Sequence, residues 1–120
     1  MSTARPHALI VDDHSTSALA LKSALSVMGY ATFGFASTGH QAVAAARARK
    51  PDLVITSLSL REHLDASLLS ELDQEIEGVP VIYMADAGIA AEGDLVLQKP
   101  IGRAALSRAL ESLRGEEAAA

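Results

Sequence analysis

Asp12 and Asp13 are adjacent carboxylates that close a short apolar run, Ala8-Leu9-Ile10-Val11, and Lys99-Pro100 closes another near the far end of the chain. Neighbouring carboxylates repel unless a cation or a lysine offsets them, and hard oxygen ligands of this kind suit Mg²⁺. The chemistry these residues support is a divalent-ion pocket or an acid–lysine pair. Covalent catalysis is poorly supplied. The chain has no Cys, which removes cysteine nucleophiles, thiolate zinc sites and disulfides together. Ser15, Thr16 and Ser17 read as caps of the helix that follows, because no Gly-x-Ser-x-Gly elbow and no Ser–His–Asp arrangement accompanies them. His7, His14, His40 and His63 fall on different loops without metal-ligand spacing and read as solvated. Gly34 and Gly39 lie too far apart for a phosphate-binding glycine loop. Phe33 and Phe35 share a face by the period of two, which core packing explains better than ligand stacking.

These groups can act together only if elements distant in sequence bring them to one place. The run Ala8–Val11 is continuously apolar, as a strand buried on both faces would be. Ala18, Leu21, Ala24, Leu25 and Met28 then recur at helical spacing, with Gly29 at the stop. Tyr30–Phe35 supplies a second strand, and Ser37-Thr38-Gly39 caps an alanine-rich helix that Pro51 closes. Leu53–Ser57 is a third strand, after which Asp65 caps a helix carrying Leu68, Leu69, Leu72 and Ile76. Val79–Met84 and Leu95–Leu97 are the fourth and fifth strands. A last helix places Ile101, Ala105, Leu106, Ala109, Leu110 and Leu113 on one face and ends at Gly115. The stretch from Ala85 to Gly93 has room for barely a turn or two of helix. Alternating strands and helices imply right-handed crossovers and a parallel sheet covered on both sides. In such a sheet the ligand crevice lies outside the carboxyl ends of the strands. Asp12, Asp13, Ser57, Ala85, Asp86 and Lys99 all fall at such ends.

A chain of 120 residues, 49% of them hydrophobic and 21% charged, reads as one globular domain over residues 1–120, with residues 1–6 and 115–120 expected to fray. No run approaches the ~20 apolar residues of a membrane-spanning helix. The polar start lacks a secretory signal, so a cytoplasmic setting is expected. A formal charge of −5 and 3% aromatic residues leave no basic footprint for direct nucleic-acid binding and few stacking platforms.

Val11-Asp12-Asp13-His14, Pro51-Asp52-Leu53-Val54-Ile55-Thr56-Ser57, Pro80-Val81-Ile82 and Lys99-Pro100, in that order, resemble the receiver domain of bacterial response regulators over essentially the whole chain. The resemblance implies a flavodoxin-like α/β fold: a doubly wound five-stranded parallel sheet in the order 2-1-3-4-5, with helices on both faces. It matches Asp12 and Asp13 to the Mg²⁺-binding acids and Lys99 to the lysine that contacts the phosphoryl group. The departures are as specific as the matches. Ser57 stands where the family has the Asp that accepts phosphate from a histidine kinase. A serine hydroxyl is a poor acceptor without a base and cannot give an acyl phosphate. Ala85 stands where a Ser or Thr hydrogen-bonds the phosphoryl oxygen, and Val96 where a Tyr or Phe swings inward. Ala85 and Lys99 are 14 positions apart, fewer than in the family, so the helix between the fourth and fifth strands should be shortened. The resemblance thus implies an atypical receiver of two-component or phosphorelay signalling. It would be non-enzymatic, independent of phosphorylation, and would bind a signalling protein partner. The alternative is a small cation or ligand sensor using the acidic crevice. Removal of the third carboxylate weakens any Mg²⁺ site at Asp12 and Asp13. Asp86 is a lesser candidate ligand, more readily a helix cap, and Lys99 is expected to pair with Asp12 or Asp13.

Overall fold

β1 (His7–Val11) is buried along its whole length, and the two sides of its pleat divide the core. Ala8 and Ile10 pack with Leu21, Leu25, Leu106 and Leu110. Leu9 and Val11 pack instead with Val43, Val54, Leu68 and Leu72, as the alternation of side chains along a strand requires. In this computed structural model, residues 6–86, 95–99 and 101–119 are described. The other strands are β2 (Thr32–Ala36), β3 (Leu53–Ser57), β4 (Val81–Ala85) and β5 (Val96–Gln98). They form one all-parallel sheet in the order β2-β1-β3-β4-β5, the flavodoxin-like arrangement. Ile10 sits opposite Phe35 on one side and Ile55 on the other, and Ile55 opposite Ile82.

The helices are α1 (Ser15–Val27), α2 (Gly39–Ala48), α3 (Leu58–Glu62), α4 (Ala66–Glu75) and α5 (Arg103–Ala119). α1 and α5 cover the first layer, α2 and α4 the second. Thr38 Oγ1 accepts from Gln41 N at 3.1 Å, and Asp65 Oδ1 from Leu68 N at 2.8 Å, so the caps of α2 and α4 fall where the sequence places them. Gly29 and Gly78 follow α1 and α4 with φ of 104° and 80°, a left-handed conformation that glycine alone adopts without strain.

Three local expectations are corrected. The N-cap of α1 is His14, ahead of Ser15–Ser17, and its side chain makes no cap bond. Asp12 Oδ1 reaches the His14 amide at 3.3 Å instead, so the turn after β1 leads straight into helix. α5 does not end at Gly115 but runs to Ala119. One interior Gly costs only ~1 kcal/mol relative to Ala, and the Glu and Ala residues beyond it are good helix formers. α3, a five-residue helix, occupies a stretch read as loop. Among the described residues no helix is long and apolar enough to cross a membrane. The shortened helix expected between β4 and β5 falls on residues 87–94, outside the described residues, as do the termini at 1–5 and 120.

Candidate functional site

Asp12 leaves β1 with its amide donating to Ala36 O at 2.9 Å and its side chain fully buried. A carboxylate in that position requires a countercharge. Lys99 supplies it: Nζ lies 2.9 Å from Oδ2 and 3.1 Å from Oδ1. β5 delivers this lysine, and the Lys99 amide donates to Ala85 O at 2.8 Å, so the ends of β1, β4 and β5 meet at one ion pair. The pairing of Lys99 is thus with Asp12. Asp86 Oδ1 stands 4.0 Å from the same ammonium, with its side chain about half exposed at 53%.

Asp13 turns outward. His14 Nδ1 lies 2.9 Å from Asp13 Oδ1 and 3.4 Å from Asp12 Oδ1. One ligand-capable atom from each of Asp12, Asp13 and His14 falls within 4.8 Å of the others. The approach of His14 to the two carboxylates has no signal in ligand spacing, because a tight turn after the strand gathers three consecutive residues. His14 is solvated as expected, its side chain 64% exposed, but His7 departs from that reading: it is buried at the start of β1, because that strand is covered on both faces. Phe35 is a second departure. Unlike Phe33, which packs on the core, Phe35 near the end of β2 is exposed.

Ser57 ends β3 and is buried. Its Oγ accepts from Leu60 N at 3.3 Å, which makes it the N-cap of α3. Ala85, at the matching end of β4, is buried and ends in a methyl group with no hydrogen-bonding capacity. Val96 pairs with Tyr83 across β4 and β5 and has no ring. Among the described residues no buried side-chain N or O lacks a hydrogen-bond partner, so the strand ends hold no stranded polar atom.

The response regulator receiver domain model matches residues 8–111, and the chain belongs to that family. It is 32% identical over 100 residues to the probable transcriptional regulatory protein TcrX of Mycobacterium tuberculosis, a match that takes in 77% of this chain and 42% of that protein. The chain therefore spans less than half the length of this curated relative. Among solved structures it resembles the N-terminal domain of a response regulator/sensory box/GGDEF 3-domain protein from Carboxydothermus hydrogenoformans, with a TM-score of 0.72, 26% identity and coverage of 93% of this chain and 97% of that one. A response regulator receiver protein from Sinorhizobium medicae WSM419 gives a TM-score of 0.70 at 20% identity, covering 93% and 96%, a likeness of fold alone.

The family's divalent ion finds part of its usual donor set here. Asp12, Asp13 and His14 are close enough to share a cation, but Asp12 already gives both oxygens to Lys99, and the end of β3 offers a hydroxyl in place of a carboxylate. That combination fits weak ion binding, because affinity for hard cations tracks the number of charged oxygen ligands.

Proposed function

We propose that this receiver domain works as a phosphorylation-independent protein-interaction module in two-component or phosphorelay signalling, in a cytoplasmic setting and without enzymatic activity of its own. Ser57 carries the reading. An acyl phosphate needs a carboxylate, and the hydroxyl at this position is engaged as the cap of α3. Lys99, the match for the phosphoryl-contacting lysine, is held by Asp12, and Ala85 and Val96 bring neither the hydroxyl nor the ring of the family's switch. Treatment with a small acyl phosphate should leave the mass of the chain unchanged, and beryllofluoride added with Mg²⁺ should leave the amide spectrum as Mg²⁺ alone leaves it. A gain of one phosphate on Asp12 or Asp13, or a stoichiometric beryllofluoride complex, would overturn the reading.

A second reading, a weak cation sensor, draws on the juxtaposition of Asp12, Asp13 and His14. Asp12 and Asp13 would hold the ion, and Asp86, facing Lys99 instead, would not. Millimolar Mg²⁺ or Ca²⁺ should then raise the melting temperature slightly, since a ligand of the folded state alone stabilises it, and Asp13→Asn should abolish the rise. A melting curve that ignores both ions removes this second reading.

A further inference from the structure

Beside the acid–lysine pair, the same end of the sheet carries a cleft between the start of α1, the end of β2 and the start of α2. Its volume is about 340 Å³, at the small end of the range for ligand sites. The floor is apolar, built from Ile10, Ala18 and Ala36. The walls are Leu19 and Phe35, 63% and 46% exposed. These are two of the three large hydrophobic side chains exposed among the described residues. Exposed apolar side chains scattered singly need no explanation, but here two face one concavity.

The rim is acidic. Asp12 and Asp13 both line the cleft, and among the described residues no Lys, Arg or His does, His14 touching Asp13 Oδ1 from outside it at 2.9 Å. Asp12 is committed to Lys99, which leaves Asp13, 62% exposed, as the carboxylate an occupant can reach. A purely apolar occupant would strip water from that carboxylate without compensation, and a purely polar one would leave Leu19 and Phe35 uncovered. The complementary group is a cation on an apolar stem. Between the two basic side chains, arginine fits better, because its weakly hydrated guanidinium gives up water more readily than an ammonium and its planar fork pairs with a carboxylate through two donors. Arginine is also enriched among the anchors of protein interfaces.

We infer that this cleft receives an arginine side chain of a partner protein, with the stem against Leu19 and Phe35 and the guanidinium on Asp13; that the occupant belongs to a protein rests on the interaction role proposed above. The test is an amide-shift titration of the full chain with a capped Ala-Arg-Leu peptide, in the presence of a chelator so that no cation competes for Asp13. Shifts should concentrate at Leu19, Phe35 and Ser37. Replacing arginine by citrulline, its uncharged counterpart, should weaken binding by about tenfold or more, and Asp13→Asn and Phe35→Ala should each do the same. Both residues are exposed, and circular dichroism checks that the variants keep the fold. Equal binding of the citrulline peptide, or shifts at another face, overturns the inference. So does a free aryl-alkyl guanidine that binds as tightly as the peptide, which would make the cleft a small-molecule site. A natural partner that binds both variants as it binds the unaltered chain refutes this cleft and leaves the interaction role standing. Selective arginine-peptide binding by a chain that also accepts phosphate does the reverse.

Discussion

At Asp12 a buried charge is offset locally, by two contacts from the Lys99 ammonium and one from the His14 amide. Removing one partner of such a pair leaves the other uncompensated, at a cost of about 3 kcal/mol or more. Lys99→Met should therefore lower the urea midpoint sharply, and adding Asp12→Asn should recover part of the loss. Equal losses in the single and double variants would refute the coupling. At the other end of β1, the His7 amide donates to Asp52 Oδ2 at 2.7 Å, and Nδ1 lies 2.9 Å from Thr32 Oγ1. Burial lowers the pKa of this imidazole below 6.5 and the charge of Arg49 adds to the effect, against opposing contributions from Asp52 and Thr32. The fold keeps His7 neutral where the unfolded chain takes up a proton. Its contribution to stability is complete above pH 6.5 and is lost as the pH falls below that value. Urea midpoints should drop between about pH 7.5 and about pH 5.5, and His7→Gln should make that slope shallower. Parallel profiles for the two proteins would clear His7 of the effect.

Where α2 meets α4, Gly39 is buried, and a Cβ there would run into the methyl groups of Leu64 and Leu68. Overpacking costs about 1–3 kcal/mol, which exceeds the roughly 0.5–1 kcal/mol that Ala gains over Gly in a helix. Gly39→Ala should lose about 1 kcal/mol by this difference, measured by urea unfolding. A Gly39→Ala variant as stable as the unaltered chain, or more so, would contradict the packing account. The elements themselves were legible because the two periods differ: Leu21 and Leu25 repeat with the helix, Ala8 to Val11 run unbroken as a strand buried on both faces. The caps Thr38 and Asp65 were legible because their side chains act within their own helices. α3 was not, since five residues contain too little of a 3.6-residue period to register, and its start depends on Ser57 serving as a cap. His7 and Phe35 were misread for one reason: their exposure is set by whether neighbouring elements cover β1 and β2, which no local pattern states. The meeting of Asp12 with Lys99 followed from sheet topology, whereas the approach of His14 followed from a turn whose geometry no periodicity encodes.

Over the whole molecule, parallel strands collect the acids, Ser57 and Lys99 at one end of the sheet, and that convergence is independent of whether a switch operates there. Ser57→Asp tests the separation. It places a carboxylate at the same end of the sheet as Asp12, Asp13 and Lys99, and, on the function proposed above, slow labelling by an acyl phosphate is the expected result. The response should stay local, because a switch needs a second state with different contacts to the phosphoryl group, and Ala85 and Val96 supply none. Amide shifts spreading into α5 on labelling would refute this. The cap at Ser57 also bears on how such a chain can change over generations. From an AGY serine codon, aspartate is reached through asparagine or glycine, one base at a time. Serine, asparagine and aspartate rank together at the N-cap, with glycine only slightly behind. α3 would keep a tolerable start at every intermediate, so a lineage can drift between a hydroxyl and a carboxylate at this position without its folding at this helix standing in the way.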